Sequence, residues 1–98
     1  MIYVSEQLKI GSQTATGLLL ELPDSPPLVV IVGKTGFVMC GFLNMEAAER
    51  LNVTAAMVSG VKSFEDVLRA EVKAVTSKAS LKGVRIGMKG EDALKLLV

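Results

Sequence analysis

Cys40 is the single cysteine of this 98-residue chain and the one side chain with a distinct nucleophilic chemistry. A thiol attacks as the thiolate, which a nearby cation or a helix N-terminus favours. Asn44 is a good N-cap and opens a helix close behind Cys40, and Lys34 or Lys62 would supply the cation. The plainer reading is an inert small hydrophobe packed beside Met39 and Phe42. Nothing else supports catalysis of a familiar kind. The chain has no histidine, so no Ser-His-Asp triad, Cys-His pair or His-containing zinc site can be built within it. One cysteine forms neither an internal disulfide nor a multi-thiolate metal site. The sequence therefore implies no metal centre and no cofactor.

Four further groupings bear on binding. Gly33-Lys34-Thr35 invites a phosphate-loop reading, but the earlier glycine of that motif is replaced by Leu28, and an apolar strand follows where a helix should. Gly33-Lys34-Thr35-Gly36 also matches the GXXG loop that clamps nucleic-acid backbones between two helices. Here it joins two apparent strands and reads as a hairpin turn. Gly60-Val61-Lys62-Ser63 opens a helix and would hold a carboxylate or phosphate, unless Ser63 and Asp66 cap that helix themselves. Gly87-Met88-Lys89-Gly90 offers a similar site before the last helix. Glu65 and Asp66 are not a general acid–base pair, because adjacent helical residues diverge and first-turn acids serve the helix dipole. Met39, Met45, Met57 and Met88 lack close spacing and read as core rather than copper ligands.

Composition narrows the partners. Eleven Lys and Arg against ten Asp and Glu leave a net charge of +1, which gives little drive toward nucleic acid or anionic membrane. Met1-Ile2-Tyr3-Val4 lacks the basic start of a signal peptide, and a lone thiol suits a reducing, cytoplasmic compartment. The most apolar run, 28–43, is shorter than a membrane span and is broken by Gly33, Lys34 and Gly36. Asn52-Val53-Thr54 matches a glycosylation sequon that would be silent in the cytosol.

The length is that of one domain, 1–98, with two unlike halves. Residues 1–43 carry only five charges, and 44–98 carry the other sixteen. The first half alternates as strands over 1–10 and 14–22. Gly11-Ser12 marks a hairpin, and a three-residue loop Gly11-Ser12-Gln13 would pair Val4 with Leu20 and Ile2 with Leu22, keeping one face apolar and leaving Leu19 on the polar face. After Pro23-Asp24-Ser25-Pro26-Pro27, strands over 28–32 and 37–43 are apolar on both faces, as in the centre of a covered sheet. The second half reads as short helices starting after Asn44, over 63–68, 77–82 and 91–97, alternating with strands over 55–58 and 71–76 and a short extended piece at 84–86. The fold class is α+β: a β-rich N-terminal half with hairpins, then short helices alternating with strands on a mixed sheet.

Half the residues are hydrophobic before the nine glycines are counted. Ordinary soluble domains reach about 45–50% with glycine included. That surplus lies in 1–43, and it predicts a homo-oligomer joined through the N-terminal sheets, by two-fold interfaces, as a dimer or tetramer.

Three segments then combine: Gly36-Phe37-Val38-Met39-Cys40-Gly41-Phe42-Leu43, Gly60-Val61-Lys62-Ser63-Phe64-Glu65-Asp66-Val67-Leu68, and Gly83-Val84-Arg85-Ile86-Gly87-Met88-Lys89-Gly90-Glu91-Asp92-Ala93-Leu94. In this order and spacing the chain resembles the YunC-like family of small bacterial and archaeal proteins, a family of unknown function. Asn44 stands where that family has aspartate, which still caps a helix. The resemblance implies a β-rich N-terminal region that mediates tetramerisation, and it implies no activity or catalytic residue. The shared segments contain Cys40, Gly41, Gly60, Val61, Gly87 and Gly90, which with Lys62 and Ser63 are the candidate site residues. Two classes of function remain. One is a non-enzymatic binding or assembly module that takes a small anionic ligand or a protein partner. The other is a cysteine-dependent enzyme with Cys40 as nucleophile.

Overall fold

The computed structural model describes residues 3–98. Six strands form one sheet in chain order: β1 (Tyr3–Ile10), β2 (Gln13–Leu20), β3 (Leu28–Val32), β4 (Phe37–Met39), β5 (Ala55–Met57) and β6 (Ala74–Val75). Every neighbouring pair is antiparallel except β4 and β5, which are parallel. A parallel pair needs a crossover, and α1 (Met45–Arg50) lies in it. α2 (Phe64–Arg69) lies between β5 and β6, and α3 (Ser77–Leu81) and α4 (Gly90–Lys95) follow. The architecture is α+β, with a β-rich N-terminal half and short helices interleaved with strands.

The first hairpin differs from the expected register. Its loop is the two residues Gly11-Ser12, and Val4 pairs with Leu19, not Leu20. Gly11 has φ +63° and Ser12 is not among the positive-φ residues, the pattern of a turn with glycine at its first central position. That turn matches the twist of the strands and overrides the face-matching argument. Ile2, expected opposite Leu22, lies outside the described residues. The one-residue difference turns Leu19 toward the core, opposite Val29, while Leu18 and Leu20 go to the other face.

The core side of the sheet carries Ile10, Ala15, Val29, Ile31, Val38 and Ala56, all buried. α2 crosses it at Gly17, where a Cβ would come within 2.8 Å of the Phe64 ring. α2 and α4 also touch each other. A Cβ on Gly90 would overlap the Val67 carbonyl oxygen, so the two backbones approach more closely than any side chain allows. Val67, Ala93, Leu94 and Leu97 join the cluster from the helical side.

Three other expectations are corrected. β4 ends at Met39 rather than at 43, because the Leu43 N–H turns back to the Cys40 carbonyl at 3.1 Å. β6 is two residues long, and Glu71 meets Lys89 in an isolated bridge instead of extending it. Residues 84–86 form no strand; the 84–89 loop folds on itself, with the Met88 N–H donating to the Arg85 carbonyl. The starts of α1, α2 and α3 are capped by the Asn44, Ser63 and Thr76 side chains. Glu49 on α1 also accepts from Ser77 at the start of α3, and hydrogen bonds from the Ser77 side chain and then its N–H hold the Glu49 carboxyl below its ordinary value.

Gly90→Ala should lower stability by about 3 kcal/mol or more, because neither helix backbone can move aside cheaply. Gly41→Ala, whose added methyl would meet nothing within 4 Å, should stay within about 0.5 kcal/mol of the parent. Thermal melts of both variants check this, and equal melting temperatures would contradict the close approach.

Candidate functional site

Cys40 is placed by strand pairing. It directly follows β4, and its N–H donates to the Val29 carbonyl at 3.0 Å. Its Sγ accepts from the Val29 N–H at 3.4 Å. Main chain and side chain are thus both fixed to the same residue of β3, and the thiol is 4% exposed. The turn closed by Leu43 then carries Gly41 and Phe42 outward. Phe42 is 50% exposed, so it does not bury Cys40 as expected.

Topology brings two more segments to this end of the sheet. β3 starts where antiparallel β4 ends, so the Pro26-Pro27 approach to β3 lies beside Cys40. β5 runs parallel to β4 and ends at the same edge, with the Val58 N–H donating to the Met39 carbonyl at 2.9 Å. The chain then passes through Gly60, at φ +72°, to buried Val61 and exposed Lys62. The three segments enclose an open, mostly apolar cleft of about 330 Å³. Pro26 and Pro27 form one wall, Cys40, Gly41 and Phe42 another, and Gly60, Val61 and Lys62 the third. A second cleft of about 250 Å³ shares Pro27 and Lys62 and adds Leu19, Glu21, Leu22 and Ser25.

Five of the candidate residues therefore share one cleft: Cys40, Gly41, Gly60, Val61 and Lys62. The other candidates do not. Ser63 accepts from the Asp66 N–H at 3.1 Å, and Asp66 accepts from the Lys62 N–H at 3.0 Å, so α2 caps itself. Glu65 pairs with Arg69 on the helix surface. Gly87 and Gly90 are structural. Their N–H groups donate to Val72 and Ala70 carbonyls, which leaves no anion cradle. Lys34 sits in the β3–β4 turn, at the opposite end of β4 from Cys40, and does not line the cleft.

The Gly33-Lys34-Thr35-Gly36 turn is a hairpin, closed by the Gly33 N–H to the Gly36 carbonyl at 2.8 Å. Its Thr35 donates to the Leu97 carbonyl from both N–H (2.8 Å) and Oγ1 (2.9 Å). The motif anchors the segment after α4 rather than a phosphate. Among the described residues no cluster of three or more His, Cys, Asp or Glu could hold a metal ion. No described helix is long and apolar enough to cross a membrane.

Sequence reasoning missed Pro26, Pro27 and Phe42. The prolines were legible as a turn, but their closeness to Cys40 follows from β3–β4 pairing. Phe42 carried an apolar signal that suited core equally well.

The family model described as a domain of unknown function, DUF1805, matches residues 39–97, more than half the chain. The chain belongs to the DUF1805 family. Every cleft residue except the two prolines falls inside the DUF1805 match. Among curated proteins the chain is similar to the uncharacterised protein YunC of Bacillus subtilis, at 28% identity over 91 residues and 89% of each chain. Among solved structures it is similar to a protein of unknown function from Thermoplasma acidophilum, with TM-score 0.94 and 29% identity over 99% of this chain and 94% of that one. The DUF1805 match carries no assigned activity, so the chemistry of the cleft rests on its own residues.

Burial and the Val29 hydrogen bond make Cys40 a slow nucleophile. Native protein should react with iodoacetamide roughly a hundredfold more slowly than protein unfolded in guanidinium. Mass spectrometry of timed samples measures both rates, and native alkylation as fast as the unfolded rate would refute it.

Proposed function

We propose that this DUF1805 protein is a non-enzymatic, homo-oligomeric binding module of a reducing, cytoplasmic compartment. Its N-terminal strands join the subunits, as a tetramer with two-fold interfaces, and its cleft takes a small ligand, anionic in character. The observation that carries the assembly is the second face of the sheet. Tyr3, Leu18 and Leu20 lie there on the hairpin, followed by Leu28, Val30, Val32, Phe37 and Met39 on β3 and β4. Val30 is buried and Leu28 and Met39 also pack against the core cluster, but Leu18, Leu20 and Phe37 stay half-buried and Tyr3 and Val32 are 62% and 44% exposed. A run of large apolar side chains across four strands is costly to leave in water and is a common mark of association. The polar residues of the same face, Ser5, Gln7, Lys9, Thr14 and Thr16, gather toward the Gly11-Ser12 turn. They bound the patch as a rim bounds an interface core.

The binding role rests on a cleft whose floor is an engaged thiol rather than a free one. The competing reading, a cysteine-dependent enzyme, is favoured by one observation: Cys40 and Lys62 line the same cleft. Light scattering on a size-exclusion column should give a multiple of the 10.4 kDa chain mass at micromolar concentration. Leu20→Lys should shift the particle to a monomer with its strand content retained. Cys40→Ala should leave assembly unchanged and weaken ligand binding only slightly. A parent protein that runs as a monomer would defeat the assembly, and a ligand chemically converted by the parent protein but not by Cys40→Ala would favour the enzyme.

A further inference from the structure

We propose that the 330 Å³ cleft binds a small monocarboxylate with a compact apolar body. This rests on the binding role given above and names its ligand class. The volume is at the lower end of small-molecule sites, which run from about 300 Å³ upward. Most of the surface is hydrocarbon and favours an apolar ligand body: the proline rings, the Phe42 ring and the Val61 side chain. The Cys40 Sγ adds a soft, weakly polar floor, already engaged with the Val29 N–H.

The charged contribution is a single side chain, Lys62. Lys62 is exposed and forms no ion pair among the described residues. Gly41 and Gly60 have no side chain and so line the cleft with main-chain atoms only. Their N–H groups donate to no protein acceptor among the described residues. A Cβ at either position would meet nothing within 4 Å, so no neighbouring atom crowds the side-chain position of either glycine. A cation and two main-chain donors without a protein acceptor, with no carboxylate side chain in the lining, favour an acceptor-only, negative group. The α2 N-terminus takes no part, since Ser63 and Asp66 already occupy it.

Charge sets the upper limit on the ligand. Asp66 accepts from the main-chain N–H of Lys62 at 3.0 Å, and Glu21 lines the adjoining cleft with Lys62. These carboxylates add negative potential near the cleft, which opposes a doubly charged ligand about twice as strongly as a singly charged one, and Lys62 is the one cation of the lining. A monocarboxylate is therefore favoured over a phosphate dianion.

The test is a titration of the full chain followed by amide NMR. The probes are isovalerate and 3-phenylpropanoate, the neutral primary amide of each, and inorganic phosphate. Both carboxylates should move the Gly41, Gly60 and Val61 amide resonances and bind about tenfold or more tightly than their amides. Lys62→Gln should erase that preference, Lys62→Arg should keep most of it, and phosphate should bind more weakly than either carboxylate. Equal binding of acid and amide, or a preference that survives Lys62→Gln, overturns the carboxylate proposal and leaves an apolar binding cleft. Tighter phosphate binding overturns it in favour of a dianion. No perturbation by any probe overturns the ligand-binding role as well.

Discussion

The pairing of β1 with β2 decides what the rest of the molecule must do. A sheet residue faces one side or the other, and a shift of one position exchanges the two sets. With a two-residue turn at Gly11-Ser12, Leu8, Ile10, Ala15 and Leu19 join the helix-covered side. Gly17 falls on that side as well, and because it has no Cβ the Phe64 ring of α2 can lie against the strand. α2 is thereby seated, and α4 follows through the Gly90 contact with the Val67 carbonyl. The same choice sends Leu18 and Leu20 to the opposite face. The interior and the apolar outer face are two results of one turn geometry.

The cleft has a similar origin. No motif builds it. It arises because the start of β3, the end of β4 and the end of β5 meet at one edge of the sheet. Ligand sites of mixed and parallel sheets gather at such strand ends, where the chain leaves the ladder and its main-chain groups lose their partners. Here the departing segments contain glycine at 41 and 60, which exposes backbone at the site. The neighbouring valines and prolines supply the apolar walls.

Much of the fold was legible from periodicity and caps. The alternation over 3–10, the doubly apolar run at 28–32, the start of the run over 37–43, and the capping residues Asn44 and Ser63 all appear where local chemistry places them. The misreadings came where a local rule met a tertiary one. The hairpin register was argued from face matching, but turn geometry prevailed. Residues 84–86 have strand-like side chains, yet the Gly87 N–H donates to the Val72 carbonyl and bends the loop instead. Of the candidate site, Cys40, Gly41, Gly60, Val61 and Lys62 were found through resemblance and loop chemistry. Gly87 and Gly90 have equally suggestive surroundings, but Gly87 ties its loop to Val72 and Gly90 packs against α2. No sequence spacing separates these uses of glycine from a binding one, because the difference is a carbonyl oxygen from a distant segment.

The double hydrogen bond from Thr35 to the Leu97 carbonyl joins residues 62 apart in the chain. At the ribosome, about 5–20 residues are added each second, so roughly 3–12 s separate the synthesis of these two partners. Throughout that interval the first four strands exist without α4 or Leu97 over them. The least charged part of the chain is also the part that waits longest for its cover. Nascent β1–β4 sheets on neighbouring ribosomes of one message would present matching apolar edges and faces to each other. For this protein the hazard of wrong association belongs to the seconds of translation, and dense polysomes are where it would be greatest.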